Sequence, residues 1–226
     1  MSFRLSKIIP WGRSLREYQL MFSLTEENER GRILGCGDGP ASFNAEMRQR
    51  GLFVVSCDPL YALGAQMIQS EFEASVHSVM SQVRANPRNY VGGFHRDPDD
   101  LLRTRRMVMR RFISDYSEGR NEGRYVVGEL PRLPFLDGAF DLALCSHLLF
   151  LYSEALSFEF HIHSLVELCR VAKEVRIFPL TDLTCEPSCH LSPVCGRLSE
   201  LGFRFEIQRV NYQLQRNGDQ MMRIWR

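Results

Sequence analysis

The sequence has little of what marks a membrane, nucleic-acid-binding or secreted protein. Its formal net charge is only +1, from 28 Lys and Arg against 27 Asp and Glu, so charge gives no argument for a nucleic acid or a membrane as partner. It contains no run of about 18 apolar residues, and no transmembrane helix is therefore predicted. Arg4 and Lys7 precede only a short apolar pair before Pro10, which does not resemble a signal peptide.

Paired cysteines, repeats and low-complexity linkers are also lacking. The seven cysteines are odd in number and scattered, which suits a reducing compartment, so a cytoplasmic location is expected. Cys185, Cys189, His190 and Cys195 are zinc-type ligands, but their spacing matches no closed pair and no metal site is predicted. A chain of 226 residues without a linker is expected to form one domain, 1–226.

What the sequence does contain is a glycine-rich turn between two apolar runs. Gly35, Gly37 and Gly39 follow a short apolar segment, and a second apolar segment, 53–57, ends at Asp58, 19 positions after Gly39. Glycines let a backbone turn tightly and approach a ligand closely. A carboxylate at the next strand tip can accept hydrogen bonds from both hydroxyls of a ribose. The pattern therefore predicts an α/β sheet with a pocket for an adenosine-containing ligand.

The glycine spacing favours one family over another. Dinucleotide-binding folds use Gly-x-Gly-x-x-Gly, whereas Pro40 occupies the sixth position here, which disfavours an NAD-dependent enzyme. The Gly-x-Gly-x-Gly spacing resembles the first motif of the class I S-adenosylmethionine-dependent methyltransferases. The segment 126–141, with Glu129, Leu-Pro-x-Leu-Pro-Phe and a final Phe-Asp, resembles a later motif of the small-molecule, type 11-like members, including uncharacterised bacterial ones.

The resemblance implies a doubly wound, mostly parallel seven-stranded sheet with S-adenosylmethionine as cofactor. It covers 31–179 and implies that the cofactor-binding residues lie at the strand tips and in the glycine turn. These are Gly35, Cys36, Gly37, Asp38, Gly39, Asp58, Pro59, Glu129, Leu130 and Ser146. In the family, the acid that matches Glu129 lies beside the adenine.

His147, next to Ser146 at the tip of the fourth strand, is the candidate catalytic residue, because its pKa is naturally near neutrality. A general base is optional in methyl transfer, and a structural histidine is the alternative interpretation. Asp38 is either a turn-stabilising residue or a contact for the methionine ammonium. The second role is attractive because Ile33 stands where the family usually has an acid.

Two regions outside the sheet are predicted to border the pocket. Residues 1–30 form an N-terminal helical cover that includes Trp11, and 59–123 form a helical insertion after strand two, with helices about 63–86 and 98–117. Arg105 falls in the apolar stripe of the second helix, so its guanidinium is expected to pair with a carboxylate or an acidic substrate. The insertion is either a substrate wall or a local ornament.

Two functions remain open at this point. One is a methyltransferase acting on an unidentified small molecule, without a nucleic acid or membrane partner. The other is a non-catalytic protein that binds S-adenosylmethionine or its product as a sensor or scaffold. Ile33, and Ala172-Lys-Glu where the family has Pro-Gly-Gly, keep the second function open. The sequence does not predict an oligomeric state.

Overall fold

The structure, a computed structural model, describes residues 9–90 and 93–226. Within them, helices and strands alternate along most of the chain. The helices are α1 Leu15–Met21, α2 Glu26–Arg30, α3 Phe43–Gln49, α4 Ala65–Ala85, α5 Pro98–Asn121, α6 Phe158–Val171 and α7 Leu191–Glu200. The strands are β1 Ile33–Cys36, β2 Val54–Cys57, β3 Tyr125–Val126, β4 Phe140–Ser146, β5 Ala172–Phe178, β6 Arg204–Arg209 and β7 Gln220–Trp225.

The seven strands form one sheet in the order β3-β2-β1-β4-β5-β7-β6. Strands β1 to β5 are parallel, and β7 is antiparallel to both of its neighbours, β5 and β6. All four residues of β1 are buried, as expected for a central strand covered by helices on both faces. The predicted α/β class and mostly parallel seven-stranded sheet are confirmed.

A separate apolar core lies on each face of the sheet. On one face, α6 and α7 contribute Leu165, Leu168 and Leu198. On the other, α1 and α3 contribute Tyr18 and Phe43, whose rings stack with centroids 4.2 Å apart. The chain passes from β1 outward to β2 and β3 and then returns to β4 on the opposite side of β1. This reversal creates a crevice at the carboxyl ends of β1 and β4, where such sheets bind ligands.

Local capping fixes where the helices begin. Helix α1 begins at Leu15, because Ser14 and Glu17 form a reciprocal capping box at its start. Helix α5 begins at Pro98, where the predicted helix begins, and the Asp97 side chain accepts a hydrogen bond from the Asp100 N–H.

Helices α4 and α5 occupy the interval between β2 and β3 and pack against each other. Their bounds agree with the predicted helices to within a few residues. The indole N–H of Trp11 donates to the Ser75 hydroxyl at 3.1 Å, and its ring lies against Phe72. The segment that precedes α1 is therefore held against α4.

The chain ends in an antiparallel pair of strands, β6 and β7. Strands β6 and β7 pair from Arg204↔Trp225 to Arg209↔Gln220, and the ten residues between them leave the sheet. The Asn217-Gly218 turn does form, but at the far end of this excursion. Of the helices in the described ranges, none is both long and apolar enough to cross a membrane.

Candidate functional site

The carboxyl ends of four neighbouring strands, β3, β2, β1 and β4, surround one cavity of about 400 Å³. Nine of the ten residues predicted to bind the cofactor line it, together with the candidate base His147. These nine are Cys36, Gly37, Asp38, Gly39, Asp58, Pro59, Glu129, Leu130 and Ser146. Residues up to 111 positions apart in the sequence, Cys36 and His147, are thus brought together, because the carboxyl ends of the parallel strands meet at one edge of the sheet.

Gly35 is the predicted cofactor residue that does not line the cavity. It lies behind the turn, where an added Cβ would stand 1.9 Å from the Asp38 carboxylate. Gly35 therefore makes room for Asp38, which is a different role from contact with a ligand. Gly37 and Gly39 have φ values of +69° and +54°, a backbone region that side chains disfavour.

Asp58 braces the glycine turn. Its side-chain oxygens accept hydrogen bonds from the backbone N–H groups of Gly39 and Leu60, each at 2.8 Å. Burial raises the pKa of Asp58 above its usual value, although these two hydrogen bonds oppose the shift. A carboxylate has about four acceptor positions, so two remain for a ligand in the cavity.

Asp38 is buried and held by two hydroxyl groups. The Tyr18 phenol and the Ser56 hydroxyl each donate to one of its oxygens at 2.6 Å. Burial raises the pKa of Asp38 to about 7, against the opposing effect of these hydrogen bonds. The carboxyl therefore changes charge near neutral pH while facing the cavity, so its turn-stabilising role and a ligand-binding role are compatible.

Glu129 and Leu130 follow β3 on the rim of the cavity. Leu130 is buried, whereas Glu129 is exposed and close enough to Asp58 to raise the pKa of that carboxyl. Behind them, an added Cβ on Gly128 would approach the Cys57 sulfur to 2.8 Å. Glu129 thus provides a hydrogen-bond acceptor on the solvent side of the rim, and Leu130 provides an apolar surface on its inner side.

His147 follows β4 with a φ of +53°, and its ring is buried. Its Nδ1 lies 2.8 Å from the Ser146 hydroxyl oxygen. Burial, with the nearby guanidinium groups of Arg13 and Arg105, holds the pKa of His147 well below its usual value. The imidazole is therefore neutral at physiological pH.

Arg13, which the sequence analysis did not single out, is the only Arg or Lys that lines the cavity within the described ranges. Within the described ranges, no carboxylate lies within 4 Å of the Arg13 guanidinium. The remaining residues, 1–8 and 91–92, contain no Asp or Glu. Nη1 contacts the Trp11 carbonyl oxygen, and Nε is buried without a hydrogen-bond partner. Burial and the adjacent Arg105 lower the pKa of Arg13.

The sequence around Arg13 explains how it reaches the cavity. Gly12 packs directly on the glycine turn, because a Cβ there would stand 2.0 Å from the Pro40 carbonyl oxygen. The Arg13 carbonyl accepts a hydrogen bond from the Ser42 N–H at 3.1 Å. The signal in the sequence was a glycine immediately before an arginine in an otherwise apolar segment.

Arg105 confirms one expectation and corrects another. Its guanidinium is fully buried and pairs with the Glu17 carboxylate, with a third contact to the Gly12 carbonyl oxygen. It does not line the cavity, and its partner belongs to the protein. The hypothesis that Arg105 meets an acidic substrate was therefore wrong, and Arg105 supports the wall that carries Arg13.

Similarity to known proteins shows to which family the chain belongs. No protein-family model matches the chain. A protein of Methanocaldococcus jannaschii, MJ0045, described as uncharacterised, is 30% identical over 216 residues, which cover 95% of each chain. This chain belongs to the family of that archaeal protein.

Solved structures show the fold. The mitomycin 7-O-methyltransferase MmcR is similar with a TM-score of 0.50 at 12% identity, over 94% of this chain and 53% of that one. The magnesium protoporphyrin IX methyltransferase ChlM of Synechocystis, crystallised with S-adenosylmethionine, has a TM-score of 0.44 at 11% identity, over 87% of this chain and 70% of that one. The chain therefore has the fold of the class I S-adenosylmethionine-dependent methyltransferases, as the glycine motif predicted.

Proposed function

We propose that this protein is an S-adenosylmethionine-dependent methyltransferase that acts on a small molecule. The observation that carries the proposal is that the glycine turn, Asp58, Glu129 and Ser146 border one cavity at the switch point of a class I methyltransferase sheet. Its volume of about 400 Å³ lies within the range of small-ligand sites, about 300–1,000 Å³.

The side chains that line the cavity include the hydrogen-bonding and apolar groups that S-adenosylmethionine needs. Asp58 keeps acceptor positions for the ribose hydroxyls, and Glu129 can accept from the exocyclic amine of adenine while Leu130 flanks the ring. Asp38 lines the cavity and would accept from the methionine ammonium, in place of the acid that Ile33 replaces. Ile33 itself is buried in β1 and cannot contact a ligand in the cavity.

Bound S-adenosylmethionine supplies an electrophilic methyl group on a sulfonium. The protein's main contribution is to hold the acceptor in line with that group, and positioning of this kind can lower a barrier by several kcal/mol. Trp11, Leu156 and Phe160 give this cavity part of its apolar lining.

His147 is assigned as the group that accepts a proton from the substrate. If the Ser146 hydroxyl donates to the Met21 sulfur, 3.8 Å away, its oxygen can accept from Nδ1–H of His147. In this tautomer Nε2 carries a lone pair, and among the described residues it makes no hydrogen bond. A neutral imidazole with a free Nε2 can take a proton from an acceptor hydroxyl or amine, and the lowered pKa of His147 makes it a weaker base than an ordinary histidine.

Non-catalytic binding is the second candidate, because the acid usual before the first glycine is absent from β1. The deciding experiment has two stages. Calorimetry with S-adenosylmethionine, S-adenosylhomocysteine and NAD tests the cofactor; binding of NAD alone would reject both candidates. Incubation with methyl-labelled S-adenosylmethionine and a small-molecule extract then tests transfer. We expect labelled product and S-adenosylhomocysteine; tight binding without either would favour the sensor.

A further inference from the structure

A second, smaller cavity of about 70 Å³ adjoins the one at the strand tips. Ile9, Trp11, Arg13 and His147 line both cavities and so form the wall they share. A single water needs about 10–15 Å³, so the second cavity has room for roughly five groups of that size. It can therefore hold a short branched chain or a small ring.

The lining of the second cavity is mostly aliphatic. The aliphatic side chains that line only this cavity come from α4, α5, the two loops after β4 and β5, and the loop before β7: Val79, Val83, Leu101, Leu151, Leu183 and Leu214. Tyr90, Tyr152 and Gln215 complete this part of the lining. Arg13 is the only charged side chain among its lining residues in the described ranges. An apolar body with one anionic group would match this lining.

The charge around Arg13 is not balanced by the protein. Glu17 is paired with Arg105, which leaves the Arg13 guanidinium as a net positive charge beside His147. A half-buried guanidinium without a carboxylate partner favours a ligand that supplies one, because Arg binds carboxylates with two parallel hydrogen bonds.

We propose that the second cavity is the acceptor subsite of the enzyme, that it takes a compact apolar group, and that Arg13 binds a carboxylate where the two cavities meet. This inference rests on the proposed function. The carboxylate has two potential sources, the methionine part of the cofactor and the substrate. His147 lies in the shared wall, where the methyl donor and the acceptor would meet.

The apolar part of the proposal is tested with fluorine NMR on the protein saturated with S-adenosylhomocysteine. The probes are 4-fluorobenzoate and its neutral counterpart 4-fluorobenzyl alcohol. Val83→Phe and Leu214→Trp each fill the second cavity, and Leu214→Met is the matched control because it nearly conserves volume. We expect both filling variants to weaken probe binding at least tenfold and to leave S-adenosylhomocysteine affinity within twofold. Unchanged probe binding in a folded filling variant would overturn the subsite.

The carboxylate part is tested with Arg13→Met and the conservative Arg13→Lys. Loss of a charged hydrogen-bonding partner should weaken the affected ligand roughly 10- to 150-fold. If the cofactor is the source, Arg13→Met weakens S-adenosylhomocysteine but not 5′-methylthioadenosine, which lacks the amino-acid part. If the substrate is the source, it weakens 4-fluorobenzoate but not 4-fluorobenzyl alcohol. Arg13→Lys should restore part of either loss.

The two proposals fail in different ways. If S-adenosylhomocysteine does not bind the parent protein, the proposed function is wrong. If it binds, and Arg13→Met changes the affinity of neither carboxylate ligand, the role of Arg13 is wrong while the proposed function stands.

Discussion

Arg105 and Glu17 form a two-pronged ion pair inside the protein, with Nη1–Oε2 and Nη2–Oε1 distances of 2.9 and 2.6 Å. Neither side chain is exposed to solvent. The Tyr212 hydroxyl also donates to Glu17, at 2.8 Å. One carboxylate therefore ties α5 and the loop before β7 to the start of α1.

Removal of one partner of this pair should be costly. Arg105→Met leaves the buried Glu17 carboxylate without its guanidinium partner, and we expect a loss of about 3–5 kcal/mol in the free energy of unfolding. The double variant with Glu17→Leu should lose less than Arg105→Met alone, because no uncompensated charge remains. Urea denaturation of the parent, both single variants and the double variant measures this coupling. Additive losses would show that the pair does not act as a unit.

Gly37 and Gly51 provide a matched pair for the glycine turn. Both have positive φ, +69° and +74°, so alanine should cost each a similar 1–2 kcal/mol of backbone strain. A Cβ on Gly37 would lie 2.6 Å from Leu148 Cδ2, whereas a Cβ on Gly51 would have no atom within 4 Å. We expect Gly37→Ala to weaken S-adenosylmethionine binding at least tenfold and Gly51→Ala to leave it unchanged. Equal affinities in calorimetry would remove Gly37 from the site.

Asp58 is expected to contribute both to the turn and to the ligand. Asp58→Ala should weaken cofactor binding by about 1.5–3 kcal/mol, the range for a hydrogen bond to a charged group. Because Gly39 N–H also loses its acceptor, the unfolding temperature should fall as well. Asp58→Asn keeps one acceptor oxygen and should be intermediate in both measurements. Unchanged affinity in Asp58→Ala would contradict the assignment.

Asp38 predicts a pH dependence near neutrality. Its folded-state pKa of about 7 lies above the ordinary value of 3.8, so the folded protein binds a proton more readily than the unfolded chain. The stability that the folded protein gains from protonated Asp38 is fully present below about pH 4 and is lost as the pH rises through 7. Thermal unfolding at several pH values should show this loss, and Asp38→Asn should remove it.

The same titration should affect cofactor binding in the opposite direction. Ionised Asp38 can pair with an ammonium, so affinity for S-adenosylhomocysteine should increase between pH 6 and pH 8. In 5′-methylthioadenosine the ammonium is missing, and its affinity should change less over this interval. If both ligands respond alike in the parent and in Asp38→Asn, Asp38 does not contact the ammonium.

His147 should affect turnover more than binding. His147→Gln removes the basic nitrogen, and loss of a general base lowers rates typically 10²–10⁴-fold. We expect the rate of methyl transfer to fall by at least tenfold while the dissociation constant of S-adenosylmethionine stays within threefold. Parallel measurement of both quantities checks this. A rate equal to that of the parent would leave His147 a structural residue.

The sequence by itself determined the sheet and most of the cavity at its tips. The glycine turn, Asp58 and Glu129 are signals carried by short segments, and parallel strands bring their carboxyl ends to one edge wherever the segments lie in the chain. Capping residues such as Asp97 also act locally, so the start of α5 could be predicted from adjacent residues alone.

Only the tertiary structure decided which buried charges pair and which face the cavity. Glu17 and Arg105 are 88 positions apart, and neither segment contains a local signal that identifies the other residue as its partner. The course of the loop before β7 has a related cause: this loop leaves the sheet, with Tyr212 hydrogen-bonded to Glu17 and Leu214 lining the second cavity. Because the Glu17 carboxylate pairs with Arg105, the Arg13 guanidinium is left facing both cavities without a carboxylate partner. This pairing of charges depends on neighbours in three dimensions, which the local sequence does not encode.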